Sequence, residues 1–298
     1  MGIKAKLNRG KEFVNNDIWQ IELDTLGKAK RSFVQSIKIV LLTIRTFNSQ
    51  KIGFQSVALS FFCTMAVVPF LAVTLALTKG LGLSDKVQAL MFDNFPNNPD
   101  IVQYVMQYAD NIIMKASSSI LGFISAAFFV WLVIWMMLCV ERVFNNVWKV
   151  RKGRSFTTRF WRDVAIVLIA PFLMLLLYFS AIYMSGFISL GNIKWLLMIV
   201  LSMLIFSAMY KFIPHTQVKY SNALKASVFS SLAFTAIQFV YVESQIFLTR
   251  LSGIYGAVAA IPFFMFWLNF SWYVILFGAE LSYAFQNVNS INVDTLKR

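Results

Sequence analysis

The sequence has few charged residues. Asp, Glu, Lys and Arg make up 13% of its 298 residues, whereas a soluble domain uses about 25% to cover its surface. Hydrophobic residues make up 58%, and the mean hydropathy is +0.67. These values exclude an ordinary water-soluble enzyme and indicate that lipid is most of the solvent.

Histidine and cysteine are also scarce. The chain has one histidine, His215, and two cysteines, Cys63 and Cys139, each of which lies within an apolar run. Neither a disulfide framework nor a thiolate metal site is indicated. The sequence also has no phosphate-binding loop, no defensible Ser/His/Asp arrangement and no helical zinc motif. We therefore expect no enzyme activity, no metal and no cofactor.

Acidic residues are outnumbered by basic residues, 13 against 27, and the formal net charge is +14. In a soluble protein this excess would suggest a nucleic-acid partner. In a membrane protein the same excess marks cytoplasmic loops, so no nucleic-acid partner is predicted.

Long stretches without charge predict an all-α fold, a polytopic membrane bundle of six transmembrane helices within residues 51–286. A helix needs about 20 apolar residues to cross a bilayer core about 30 Å thick. Two shorter apolar runs are predicted to be the fourth and fifth crossings. They are 195–210 and 226–242, and the second continues past Glu243 through Phe247 and Leu248. The other four crossings lie in longer charge-free stretches, between Lys51 and Lys79, Lys115 and Glu141, Asp163 and Lys194, and Arg250 and Glu280.

The distribution of basic residues predicts the orientation. With six crossings, 22 of the 27 Lys and Arg residues fall on one face of the membrane, which the positive-inside rule assigns to the cytoplasm. The N-terminal extension 1–28 and the tail 287–298 are then cytoplasmic, and the loop 80–115 faces outward. Within this loop, residues 100–115 have the pattern of an interfacial helix, which is either a lid over a substrate path or a connector.

Residues 29–50 precede the first crossing and are predicted to form a basic amphipathic helix. Apolar residues recur at helical spacing from Phe33 to Phe47. One interpretation is that this helix lies at the cytoplasmic interface and attracts anionic lipids, and the other is that it packs under the bundle. Its basic residues are Lys30, Arg31, Lys38 and Arg45.

Two segments resemble the YihY/BrkB family of bacterial inner-membrane proteins. They read YKFIPHTQVKYSNALKAS at 210–227 and GIYGAVAAIPFFMFWLNFSWYVILFGAEL at 253–281. Upstream, Pro69 and VERVFNNVWKVRKGRSF at 140–156 also resemble the family, so the resemblance covers about residues 50–286. The positions that carry it in the first two segments are Tyr210, Lys211, Pro214, Tyr255, Gly256, Pro262, Trp267, Gly278, Ala279 and Glu280.

The resemblance implies a six-span protein of the bacterial cytoplasmic membrane that is a transporter or is associated with virulence. It also brings an older label, ribonuclease BN. That label conflicts with the residues, because nuclease chemistry needs metals held by clustered carboxylates or histidines. His215 is expected to be a loop residue beside a proline turn.

Ionisable residues inside a bilayer are costly and are therefore candidate functional residues. Glu243 lies within the predicted fifth crossing, seven residues before Arg250 and on the same helical face. It is a candidate for proton uptake or for binding a cationic group, or it is a structural partner of Arg250. Glu280 is expected near the cytoplasmic end of the sixth crossing, where it is predicted to form an ion-pair layer with Glu141 and Arg142, either as a structural pair or as a gate.

Proline and glycine residues indicate irregular helices. Pro69, Pro171 and Pro262 fall within the predicted first, third and sixth crossings, where each removes one backbone hydrogen bond. Gly253 and Gly256 lie at the entry to the sixth crossing and indicate close packing or a hinge. Aromatic residues near the predicted helix ends are interpreted as members of an interfacial belt, and they include Trp148, Trp161, Trp195, Tyr210 and Tyr283.

We therefore expect a transporter or flippase-like protein for an amphiphilic or anionic, lipid-like substrate, with membrane lipids as partners. The alternative is a non-transporting envelope scaffold that binds a protein partner or forms a homo-oligomer. A scaffold predicts a core closed by Phe and Leu. Transport predicts a path to the bilayer midplane lined by Glu243 and by polar groups such as Ser60, Thr64, Ser180, Thr235 and Gln238.

Overall fold

The computed structural model describes residues 17–21, 26–80, 120–150, 193–255 and 260–289, together with separate positions between residues 88 and 111. All regular elements in these residues are helices, in agreement with the predicted all-α class. They are α1 (Ile18–Gln20), α2 (Lys28–Ser49), α3 (Ile52–Gly80), α4 (Ile120–Val147), α5 (Ile193–Phe212), α6 (Tyr220–Tyr255) and α7 (Ala260–Asn287).

Two of these helices contain segments that are long and apolar enough to cross a membrane, Tyr220–Ser244 in α6 and Pro262–Asn287 in α7. The segments Ile52–Val67 and Met198–Phe212 are shorter apolar helices. Helix α4 covers the second predicted crossing. Nearly all of the third crossing, with Pro171, lies outside the described residues, so the count of six stays a prediction.

Helix α7 is the centre of the packing. It contacts α2, α3 and α6 extensively, and it meets α4 and α5 over smaller areas. Helix α5 packs on α6, and α4 packs on α3. The indole of Trp272 in α7 donates a hydrogen bond to Cys63 Sγ in α3 at 3.2 Å, and Cys63 Sγ lies 3.6 Å from Met136 Sδ in α4. These three helices therefore meet at one layer of the core.

In the described helices, several small hydroxyl residues are buried in the core, and many large apolar residues are exposed. Ser230 and Thr235 are buried, and they lie within hydrogen-bond distance of carbonyls one turn earlier in α6. Small residues allow helices to approach closely in lipid. Apolar side chains can face outward there, because lipid tails are as apolar as they are. The distribution is that of a membrane bundle, and the exposed residues include Phe54, Phe61, Leu204, Phe212, Val240, Phe266 and Phe270.

Three polar segments meet at one end of the bundle, which we call the polar end. Asn145 Oδ1 accepts the backbone N–H of His215 at 2.7 Å. Gln286 Oε1 accepts the backbone N–H of Lys219 at 2.8 Å. The segments of the polar end are residues 145–150 at the end of α4, residues 213–219 between α5 and α6, and residues 283–289 at the end of α7.

Helix α2 packs lengthwise along α7. The contacts require the two helices to run antiparallel, and they extend from Tyr273 to the end of α7, about 21 Å at a rise of 1.5 Å per residue. The pairs that define this arrangement are Gln35 with Asn289, Thr46 with Glu280, and Phe47 with Tyr273.

The packing divides the apolar face predicted for residues 29–50 into two. Phe47 is buried and packs on Tyr273 and Phe277 of α7. Ile39 and Leu42 are also buried. Phe33 and Val40 are exposed. The apolar residues of α2 thus form two surfaces, one that packs on the bundle and one that is exposed.

Several predictions fall on residues that the structure does not describe or describes only at separate positions. The N-terminal extension is described at 17–21 and 26–28, and the tail only as far as residue 289. In the loop 80–115, helical positions include Val102 and Tyr104. The predicted interfacial helix at 100–115 is therefore described only in fragments.

Candidate functional site at the polar end

A three-helix junction lies next to the polar end. Tyr210 in α5 is fully buried, and its hydroxyl lies 2.8 Å from Ser230 Oγ in α6 and 3.0 Å from the carbonyl oxygen of Ile275 in α7. A Cβ atom at Gly278 would lie 1.9 Å from Ser230 Oγ and 2.2 Å from the Tyr210 hydroxyl. The tyrosine hydroxyl thus occupies space that exists only because residue 278 is glycine.

Glu280 lies one turn of backbone away from this junction and is also fully buried. The Thr46 hydroxyl in α2 lies 2.7 Å from Glu280 Oε2. The other carboxylate oxygen, Oε1, is buried without a hydrogen-bond partner. A buried carboxylate with an unsatisfied oxygen is costly, which makes Glu280 the strongest candidate functional group among the described residues.

The hydroxyl of Thr46 links Glu280 to the backbone of α2. It lies 2.8 Å from the carbonyl oxygen of Leu42 as well as 2.7 Å from Glu280 Oε2, and one hydroxyl donates only one proton. If Glu280 is ionised, Thr46 donates to Glu280. If Glu280 is protonated, the carboxyl donates to Thr46 and Thr46 donates to Leu42. The site accommodates a carboxyl group in both protonation states.

Lys149 follows the end of α4 at the polar end. Its ammonium lies 5.5 Å from the centre of the Tyr283 ring. Its backbone has φ 53°, in the left-handed region that favours glycine. This conformation ends α4, because the N–H groups of Lys149 and Val150 donate to the carbonyls of Asn146 and Asn145.

The predicted layer of Glu280, Glu141 and Arg142 stays a prediction, and the structure places its three members in different surroundings. Glu141 is buried, and its Oε1 lies 3.5 Å from Asn145 Nδ2 one turn later in α4. Arg142 is exposed, whereas Glu280 is buried against Thr46.

Glu243, predicted within the fifth crossing, is exposed on α6. Helix α6 continues beyond it to Tyr255, and the side chain of Arg250 lies outside the described residues. The hydroxyls of Ser60, Thr64 and Thr235 all lie close to carbonyls of their own helices, and Ser180 is not described.

The predicted kink residues occupy different positions. Helix α3 continues through Pro69 to Gly80. Pro262 lies in the first turn of α7, where a missing N–H breaks no intrahelical bond. Gly253 lies in the last turn of α6, and Gly256 is not described.

Tyr210, Trp148 and Tyr283 were expected in an interfacial belt, and this expectation is wrong. Tyr210 is buried at the three-helix junction, and Trp148 and Tyr283 are buried against each other, with ring centres 5.6 Å apart. The reason is that the ends of α4 and α7 pack together. Sequence reasoning also missed Thr46, whose position between Arg45 and Phe47 gave no sign of a contact with Glu280.

The loop 213–219 is held from both sides. The ammonium of Lys211 donates a hydrogen bond to the carbonyl of Val218, which closes the loop. His215 is held through its backbone by Asn145. Among the described residues, no group of three or more His, Cys, Asp or Glu side chains is arranged to hold a metal ion.

Comparison with known proteins points to membrane proteins. A sequence model of the family described as Virulence factor BrkB matches residues 43–297. A UPF0761 membrane protein of Legionella pneumophila is 29% identical over 269 residues, which cover 87% of this chain and 64% of the relative. One from Kangiella koreensis is 30% identical over 78% of this chain and 59% of the relative. The chain thus spans less than two thirds of the length of these relatives. No solved structure matches.

Proposed function

Because the chain belongs to the Virulence factor BrkB family and its relatives are named membrane proteins, we propose that it is a transporter or flippase-like protein of the bacterial inner membrane. The proposed substrate is amphiphilic or anionic and lipid-like. The observation that carries the proposal is Glu280, a fully buried carboxylate with one oxygen bound by Thr46 and one oxygen unpaired.

Glu280 has the properties expected of a residue that gains and loses a proton during a transport cycle. Its two hydrogen-bond arrangements with Thr46 differ by one proton and need no rearrangement of the backbone. Its contact with Thr46 joins α2 to α7, so a change of charge at Glu280 acts on the packing of these two helices. In this proposal Glu280 carries the coupling proton, and the exposed Glu243 does not.

The test is lipid flipping by purified protein in vesicles. Phosphatidylglycerol with a fluorescent NBD label is the probe, and its accessibility to dithionite is followed at several pH values. We expect the wild-type protein to accelerate flipping at a rate that varies with pH, and the Glu280→Gln variant to lose this pH dependence. Glu243→Gln is the matched control, and it is expected to behave as wild type.

Two outcomes count against the proposal. If wild-type vesicles flip the probe no faster than vesicles without protein, the lipid-flipping activity is refuted. If flipping is fast but Glu280→Gln keeps the pH dependence of the wild type, Glu280 is not the coupling group. Circular dichroism and gel filtration of each variant verify that the fold is intact.

A second candidate is a non-transporting envelope scaffold that forms homo-oligomers or binds an envelope protein. It is favoured by the inward-facing hydroxyls of Ser60, Thr64 and Thr235, which lie close to carbonyls of their own helices. Chemical crosslinking in native membranes tests it, because a scaffold gives a defined crosslinked complex and no flipping.

A further inference from the structure

An apolar groove lies between the segment at α1 and the first turns of α2. It has a volume of about 370 Å³. Lys30 is the one charged residue among its lining residues, and the others are apolar or small. The lining consists of Ile21, Leu26, Ala29, Lys30, Phe33 and Val34.

The groove continues as an exposed apolar stripe along α2. The side chains of Phe33, Val40 and Ile44 are 68%, 51% and 45% exposed, and Ile37 is half-buried between them. These positions follow one another at helical spacing, so they lie on one side of the helix. From residue 33 to residue 44 the stripe is about 16 Å long at a rise of 1.5 Å per residue.

The stripe extends from the end of α7 toward its middle. Gln35 contacts Asn289, which lies beyond the apolar segment that ends at Asn287, whereas Phe47 contacts Tyr273 within that segment. The groove is thus level with the end of the apolar segment, where lipid headgroups lie, and the stripe follows the apolar segment inward.

The charge at the groove complements an anionic headgroup. Lys28 and Lys30 are exposed on the first turn of α2, and Arg31 follows them. A phosphate placed at Lys30 leaves an acyl chain free to pass Phe33 and continue along the stripe. A free anion would interact with the basic residues but would leave the apolar stripe uncovered. A lipid without net charge would cover the stripe but would gain little from the basic residues.

We propose that the groove at Lys30 and Phe33, with the stripe along α2, binds one anionic phospholipid. The phosphate lies at Lys30, and one acyl chain runs along Ile37, Val40 and Ile44. This inference does not rest on transport, since the bound lipid serves equally as a structural ligand that fixes α2 at the membrane boundary.

The experiment is native mass spectrometry of the full chain in mild detergent, titrated separately with phosphatidylglycerol and phosphatidylcholine. We expect one phosphatidylglycerol to bind more tightly than phosphatidylcholine. Lys30→Gln is expected to weaken phosphatidylglycerol by about fivefold, because one basic residue near a membrane surface contributes about that factor. It is expected to weaken phosphatidylcholine less, because the choline group already balances the charge of that lipid's phosphate. Phe33→Asn is expected to weaken both lipids.

Lys219→Gln is the matched control, because Lys219 is an exposed lysine at the polar end but outside the groove. If Lys30→Gln and Lys219→Gln weaken phosphatidylglycerol binding equally, the proposal is overturned, because the lipid is then attracted by the net charge of the protein and not by Lys30. An unchanged affinity in Phe33→Asn would also overturn it. If a dimer peak disappears with Phe33→Asn while lipid binding is unaffected, the occupant of the stripe is a second copy of the chain. Phe33 and Lys30 are both exposed, so these variants are expected to fold.

Discussion

At the scale of single residues, the resemblance to the family marks positions that the structure explains by packing. Tyr210 and Gly278 are 68 residues apart in the chain, yet the hydroxyl of one fills the space left by the missing side chain of the other. Both were recognised from the sequence as family positions. Their mutual contact was not predictable, because nothing in the local pattern of α5 or α7 states which helix faces which.

The first prediction concerns this contact. Gly278→Ala places a methyl group 1.9 Å from Ser230 Oγ, so the junction has to shift. We expect a loss of about 1–3 kcal/mol in the free energy of unfolding, as for overpacked cores. The measurement is thermal unfolding in detergent.

Gly53→Ala is the matched control for this prediction. A Cβ atom there would lie 3.4 Å from the Tyr273 ring, and alanine favours helix over glycine by up to about 1 kcal/mol. We expect its melting temperature to equal or exceed that of wild type. Equal melting temperatures for wild type and Gly278→Ala would contradict the close contact at Gly278.

The second prediction removes the hydroxyl of Tyr210. Tyr210→Phe keeps the ring but removes the hydroxyl that lies between Ser230 Oγ and the carbonyl of Ile275, and Ser230 keeps only the carbonyl of Ala226. The expected loss is about 1 kcal/mol, the typical net contribution of such a hydrogen bond. The change is measured by thermal unfolding, and the double variant Tyr210→Phe/Ser230→Ala is expected to lose less than the sum of the single variants, because the two residues share one contact. Strict additivity would argue against this pairing.

At the scale of elements, the positions of the helices were largely predictable and their packing was not. Charge-free runs located α3, α4 and α7 because the pattern depends only on the cost of placing charge in lipid. Helix α6 begins at Tyr220, six residues before the predicted crossing, because Ser221, Asn222 and Lys225 are too polar to count as membrane residues. The division of α2 into a buried and an exposed side depends on α7, which lies 200 residues further along the chain.

The third prediction concerns how α1 is held on α2. The ammonium of Lys38 donates to the carbonyl of Ile21 at 2.8 Å, and burial lowers the pKa of Lys38. Trp19 and Ile18 are buried although α1 is only three residues long. We expect Lys38→Met to fill the same space but to free the Ile21 carbonyl, which loosens residues 18–27. Hydrogen–deuterium exchange of this segment is the measurement.

The matched control for this prediction is Lys225→Met, which replaces a lysine of α6 whose ammonium lies 6.0 Å from the centre of the Phe285 ring. Faster exchange at 18–27 in Lys38→Met alone supports the anchoring bond. Unchanged exchange in both variants would show that the buried side chains of Ile18 and Trp19 are sufficient to hold α1.

At the scale of the whole molecule, charge and packing agree on which segments share one side. The positive-inside count assigns residues 141–162 and 211–225, the start of the chain and its tail to one face. In the structure, residues 145–150, 213–219 and 283–289 meet at the polar end, and Gln35 of α2 contacts Asn289 there. The agreement is informative because the count uses loop charges alone, whereas the contacts depend on uncharged Asn and Gln side chains.

The last prediction follows from this agreement, and it tests which compartment the polar end faces. In a background without Cys63 and Cys139, single cysteines are introduced as Lys219→Cys at the polar end and Asp100→Cys in the loop 80–115. Both positions are exposed. We expect a membrane-impermeant maleimide to label Asp100→Cys in intact spheroplasts and to label Lys219→Cys only after the membrane is opened, because the predicted six crossings place 22 of the 27 basic residues on the side of Lys219. The reverse labelling pattern would mean that the polar end faces outward. Labelling of both residues from outside would mean that an even number of crossings separates them, whereas the predicted fold has an odd number between residues 100 and 219.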